Sequence, residues 1–342
     1  MQQNNSFLQE SIRYAFDPDS ACGIRHFGRL WGGGDGGDDT PLNPGAGTAT
    51  ALTSANYVAV AQEALSASAF LLDAGSFVLG AQVTDPGVLV RFGQAQLLKL
   101  PGRTASGPVA AVGATQTYTE PCNGGGSLTV VENDANGNQE VDPGDSLTLT
   151  ANNCAFEGQV LNGQLSVTLS AVTGLPGETA SWSVAGVLRF RNLTAQSGAD
   201  RMVANGDMSL NASASGGYDE SIALSTANFA VASTFGGVQS NQTLTNYDTS
   251  LQVRNATWTT AARGTLTSSA LNSGSVAIET PTPFARPANQ SYPAIGQAVM
   301  SGAAGSRVRV TALNAATVKI ELDADGNGVY ETAVDKPWSD IL

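Results

Sequence analysis

The side chains best spaced for chemistry in this chain are oxygen donors gathered into two short, glycine-assisted loops. In Asp323-Ala-Asp325-Gly-Asn327-Gly328-Val329-Tyr-Glu331, oxygen-bearing residues recur at alternate positions between the apolar runs VKIEL and VYETAV. This spacing turns Asp323, Asp325, Asn327 and Glu331 toward one point, with the Val329 carbonyl as a further oxygen. A hard cation such as Ca2+ takes about six to eight such ligands. The twelfth position, where a helix-loop-helix calcium loop ends on glutamate, is Val334. The pattern is therefore that of a calcium hairpin between strands. The competing reading is a solvated polar turn, since Asp, Asn and Gly are also ordinary turn residues.

The second loop runs from Asp134 to Asp145 and offers oxygens from Asp134, Asn136, Asn138, Asp142 and Asp145. Gln139 stands where a calcium loop usually has glycine, and two amides replace carboxylates. Both changes predict a weaker site than the first.

Nucleophilic catalysis finds no base here, because the single histidine, His26, lies in a segment without periodicity. A glycosidase needs two convergent carboxylates and a sugar cleft, and sequence alone pairs none of the acidic residues. The reading is a protein without a catalytic centre. Trp182, Trp258 and Trp338 sit among Thr and Ser in strand-like contexts, where packing on a sheet is the expectation and a glycan platform the alternative.

Cys122 and Cys154 fall in one β-rich stretch. In an exported protein they are expected to pair, closing a loop of about 33 residues and adding roughly 3 to 4 kcal/mol in the chain-entropy model. Buried free thiols are the other possibility. No nearby histidine or second cysteine pair completes a zinc set.

The elements that must hold these loops are mostly strands. From about residue 115 the chain alternates apolar and polar residues between glycine openings such as Gly163-Gln-Leu-Ser-Val, Gly206-Asp-Met-Ser-Leu and Gly264-Thr-Leu-Thr. Period-two alternation with irregular glycine turns predicts an all-β fold, a large antiparallel meander curled into a half-barrel or sandwich. Residues 53 to 72 read as one N-terminal helix packed on it, capped by Thr53 or Ser54, with Tyr57, Val60, Ala61, Ala64 and Leu65 on one face. Gly75, Gly80 and Asp85-Pro86-Gly87 are expected to end helical structure, with strands from about 88 to 100. Pro281 to Pro293 is expected to be an excursion between strands. Residues 1 to 52 read as a disordered N-terminus followed by a Gly/Asp tether, and 53 to 342 as a single domain.

Bulk composition agrees with a folded, exposed protein. Hydrophobic residues make up 42% of the chain, enough for a core, and a formal charge of −13 argues against nucleic acid or an anionic membrane as partner. No apolar run reaches the length of a membrane helix, and the low aromatic content gives little support to an outer-membrane barrel.

The Cys122-Asn-Gly-Gly-Gly-Ser-Leu-Thr-Val stretch, the Asp/Asn loop, Gly144-Asp145-Ser-Leu-Thr-Leu and Asn153-Cys154 are similar to a group of uncharacterised proteobacterial surface lipoproteins. So are Gly302-Ala-Ala-Gly305-Ser-Arg-Val, the Asp-Ala-Asp-Gly-Asn-Gly loop and the closing Trp338-Ser-Asp-Ile-Leu. The resemblance implies export and a lipid-tethered surface location; Cys22 lacks the expected preceding residues, so a lipid tether would require a start other than Met1. The resulting expectation is an exported module at the outer-membrane surface or in the periplasm, stabilised by calcium, that binds an envelope protein or glycan. The alternatives are a hydrolase of envelope polysaccharide and a subunit of an adhesive assembly.

Overall fold

Alternation of apolar and polar residues becomes strand after strand in a computed structural model, which describes residues 47–76, 114–138, 140–156, 158–174, 179–216 and 219–342. The first strands are β1 (Ala114–Pro121), β2 (Ser127–Asp134), β3 (Ser146–Phe156), β4 (Gln159–Thr173) and β5 (Trp182–Ser197). Next come β6 (Asp200–Ser215), β7 (Asp219–Phe235), β8 (Val238–Arg254), β9 (Thr257–Ser268) and β10 (Gly274–Pro287). The last are β11 (Ile295–Ser301), β12 (Arg307–Ala312), β13 (Thr317–Asp323) and β14 (Thr332–Pro337). Each pairs with its sequence neighbours, giving one 14-stranded antiparallel meander that does not close on itself. Among the described residues the expected all-β meander with one α-helix is therefore observed, as a single open sheet rather than two stacked ones.

One face of this sheet carries the core. Val308 and Val310 on β12 and Val318 and Ile320 on β13 are fully buried, as are Leu188 on β5 and Leu266 on β9. Each such side chain contributes on the order of 1.5 to 3 kcal/mol by leaving water. The α1 helix (Tyr57–Ser76) lies on this face with Tyr57, Val60, Ala61, Ala64 and Ala67 buried, its alanines letting helix and strands approach closely. Neighbouring helical residues show how far the sheet curls. Gln62 donates to the Asp340 carbonyl just past β14, whereas Glu63 accepts from Gln242 on β8 and Ser268 on β9. On a flat sheet β8 and β14 would stand about 29 Å apart, at about 4.8 Å per strand. Side chains from a single helical turn span both only because the sheet wraps around the helix.

The wrap is produced by bulges in the long central strands. Register shifts interrupt the pairings of β3 with β4, β4 with β5, β5 with β6, β6 with β7 and β8 with β9. Asn153, Asn192 and Asn246 take the left-handed conformation at these places, which asparagine tolerates better than most residues. Beside them stand the glycines of the repeated strand openings. A Cβ on Gly163 would lie 2.1 Å from the Asn192 carbonyl oxygen, and one on Gly264 would lie 2.7 Å from that of Asn246. These glycines thus mark close approach between bulged strands, not strand starts, and each bulge adds local twist and bend.

Other boundaries differ from expectation. The helix begins at Tyr57, after a turn in which Asn56, not Thr53 or Ser54, supplies the side chain: its Oδ1 accepts from the Thr53 N–H at 2.8 Å and its Nδ2 donates to the Ala51 carbonyl. It continues through Gly75 to Ser76. The strands expected at 88 to 100, like residues 1 to 46, lie outside the described residues. Pro281, Pro283 and Pro287 belong to β10, where the pairing with β11 shifts register between Glu279 and Ala285 and that with β9 shifts between Val276 and Phe284. Proline lacks a donor, so Pro281 and Pro283 are accommodated where the ladder is already broken and Pro287 at the strand end, opposite Thr257. The last part of the supposed tether is also structured: Ala49 pairs with Ser275 in a parallel bridge, and Leu52 is buried.

Candidate functional site

The hairpin between β13 and β14 draws its donors together as their alternation implies. One carboxylate oxygen from each of Asp323, Asp325 and Glu331 lies within 4.8 Å of the others, the one such acidic group among the described residues. Asp323, at the end of β13, is completely buried. Its Oδ1 accepts from the Gly326 and Asn327 N–H groups and its Oδ2 from Gly328, which folds the chain back around it. Asp325 accepts from the Asn327 N–H and side-chain amide, Asn327 accepts from the Val329 N–H, and Glu331 accepts from Ala324. Val329 is exposed, so only its backbone is available to the site. Positive φ at Gly326 and Gly328 permits this tight winding. Like-charged oxygens at about 5 Å repel by roughly 1 kcal/mol per pair even at the dielectric of water. Among the described residues, none of the three acids is ion-paired.

The Asp134–Asp145 loop joins β2 and β3, near the other edge of the sheet. Because strands alternate in direction, it also lies at the opposite rim. Asn136 and Asn138 both donate their amides to Asp142 Oδ2, at 2.8 and 2.5 Å, so these three side chains converge. Asp134 and Asp145 are engaged differently: Asp134 accepts from Gly137, and Asp145 accepts from Ala135 and Asp142. The loop gathers two side-chain amide donors on one carboxylate, while the Asn136 and Asn138 oxygens accept from the backbone N–H groups of Asn138 and Glu140, and it does not form the three-acid cluster of the first.

Cys122 and Cys154 form the expected disulfide, with Cα atoms 5.4 Å apart. It ties the β1–β2 turn to β3 beside the Asn153 bulge, where Ala155 donates to the Gly125 carbonyl. The tryptophans pack. Trp338 is buried against Phe284 and stacked on Tyr292, with its indole N–H donating to the Asn314 carbonyl, and Trp258 lies under the Arg286 guanidinium at 4.7 Å.

Two features were not visible beforehand. The first is a recess of about 810 Å3 where β6, β7 and β8 bulge, lined by Asp207, Asn228, Asn246 and Asp248. Asp207 bonds Arg191 at 2.6 Å with Arg189 nearby at 3.6 Å, and Asp248 bonds Arg263 at 2.8 Å. Of the glycine openings, Gly206 is the one that lines it. The second is the turn at Ala303–Gly305, whose backbone packs on Gly326 of the acidic loop. Tyr330, at the end of that loop, also lies 3.8 Å from the Arg309 guanidinium on β12.

Scans against protein-family models, curated proteins and solved structures find no match to this chain.

Proposed function

We propose that the protein is an exported bacterial envelope module that binds or supports a partner on a curled β-sheet, its hairpins stiffened by calcium and by the Cys122–Cys154 bridge. The observation that carries this reading is the convergence of Asp323, Asp325 and Glu331 within 4.8 Å on a tight hairpin. Asn327 and the Val329 carbonyl would complete the oxygen set, and a divalent cation would relieve the repulsion among the acids. Asp134, Asn136, Asn138, Asp142 and Asp145 would form the weaker site, with two neutral amides in place of carboxylates. Export agrees with the disulfide and with the lipoprotein-like motifs. The recess beside Asn228 and Asn246 suits a hydroxyl-rich glycan or a polar protein segment, because its carboxylates are already balanced by arginines.

Hydrolysis of envelope polysaccharide is the less suited reading, since Asp207 and Asp248 are held in ion pairs rather than poised as acid and base. An adhesive assembly has one point in its favour: among the described residues β1 and β14 have no partner on their outer sides. β14, however, ends in Asp335, Lys336 and Pro337, residues that discourage edge pairing. Calorimetric titration with calcium tests the proposal. It should give a site with Kd on the order of 10⁻⁴ to 10⁻³ M, abolished by Asp323→Ala combined with Asp325→Ala. Heat indistinguishable from dilution for the wild type would refute it.

A further inference from the structure

Residues 47 to 52 form a strap clamped between the start of β10 and the Ala303–Gly305 turn. Ser275 N–H donates to the Thr48 carbonyl and Thr50 N–H donates to the Ser275 carbonyl, both at 2.9 Å, while Ser275 Oγ donates to Gly47. Ala303 N–H then donates to the Thr50 carbonyl at 2.8 Å. Leu52 N–H donates to Ser306 Oγ, which in turn donates to the Ala303 carbonyl, and Leu52 and Ser306 are each 2% exposed.

The groove is shaped for this strap. A Cβ on Gly274 would lie 2.1 Å from Thr50 Oγ1, and one on Gly302 would lie 2.3 Å from the Thr50 carbonyl oxygen and 2.7 Å from Leu52 Cγ. Side chains at these two positions would exclude the segment.

The same turn also rests on the acidic hairpin. A Cβ on Gly326 would come within 2.8 Å of the Gly305 carbonyl and 3.0 Å of the Ala304 oxygen. Ala304 holds a left-handed φ of 54°, a conformation that costs an alanine energy and persists where its surroundings impose it. The turn thus contacts both the strap and the hairpin.

We propose that the Asp323–Glu331 hairpin, the Gly302–Ser306 turn and the Thr48–Leu52 strap form a latch, in which the fold of the hairpin sets whether the strap stays docked. The latch lies where the chain from residues 1 to 46 joins the domain. Ordering of the hairpin is thereby transmitted to the attachment point of the N-terminal segment, through a turn that packs on both. The coupling is reciprocal, so undocking the strap loosens the hairpin equally. It follows from packing alone and holds whether or not the hairpin binds a metal.

Native-state hydrogen exchange on the full chain tests it. In the wild type, the amides of Thr50, Leu52, Ser275 and Ala303 should lose protection together with those of Gly326, Asn327 and Gly328 in low urea, before the β3 amides. Gly326→Ala should speed exchange at the four strap and groove amides at least tenfold while β3 is unchanged. Ser306→Ala should do the same to the Gly326 to Gly328 amides. Strap amides that exchange freely while the hairpin stays protected in the wild type would overturn the latch, and that outcome needs no variant to fold. Wild-type strap protection in a folded Gly326→Ala protein would overturn it equally.

Discussion

At the scale of single residues, a few polar groups stand out because the sheet fixes their surroundings. Asp323 is the clearest, buried and wrapped by three backbone N–H groups before any cation is considered. Asp323→Ala with Asp325→Ala should remove most of the calcium response that the proposed site would give in thermal melts. Asp134→Ala should remove a smaller share, because neutral amides hold two of the five donor positions in its loop. The two sites lie at opposite rims, so their effects should add. Tyr247 provides a pH-dependent counterpart. Burial pushes its phenol up to about 12, opposed in part by the Ser68 hydroxyl at 2.5 Å. A phenol with a raised folded pKa keeps its proton more tightly when folded. Its contribution is complete below about pH 10 and is lost as pH rises through about 12. Absorbance titration at an alkaline tyrosinate band should show a late ionisation step, and Tyr247→Phe should remove the Tyr247 share of it. Ionisation of all tyrosines near pH 10 in folded protein would contradict the burial argument.

At the scale of elements, the strands and the helix were legible because each buries one face. Period-two alternation in Val308-Arg-Val310 and the spacing of Tyr57, Val60, Ala61 and Ala64 are direct imprints of that burial. The bulges were not legible, because the repulsion that demands Gly163 or Gly264 comes from an asparagine carbonyl on the next strand, tens of residues away in sequence. The acidic hairpin could be read from sequence because its donors are local; the turn that supports it could not, since Gly305 meets Gly326 only through the pairing of β12 with β13. The strap escaped notice for a similar reason. Its Gly, Thr and Ala residues resemble a linker, and only Leu52 hints at a core. Removing residues 1 to 46 should leave the melting temperature within about 2 °C, whereas starting the chain at Thr53 should cost roughly 2 to 4 kcal/mol from Leu52 and the strap hydrogen bonds. In a domain of this size that corresponds to a fall of about 4 to 16 °C. Differential scanning calorimetry of the two truncated chains checks this, and equal melting temperatures would show that the strap contributes nothing.

At the scale of the whole molecule, one open sheet wraps a helix and carries a cross-link near one edge and an acidic hairpin near the other. The disulfide holds the β1–β2 turn to β3, and calcium in the Asp323–Glu331 hairpin would fix the β13–β14 end in the same sense. An open sheet is most exposed to fraying at its edges, so stiffening there raises the stability of the entire meander. At 1 mM calcium, a site with Kd near 10⁻⁴ M adds about 1.4 kcal/mol through linkage. The most direct measurement is therefore the melting temperature of the wild-type protein in excess chelator and in millimolar calcium. The account predicts a rise of roughly 3 to 6 °C with calcium, poorly reproduced by magnesium, which demands a compact octahedron that a flexible hairpin does not supply. Superimposable melts in chelator and calcium would contradict it, leaving both loops as polar turns.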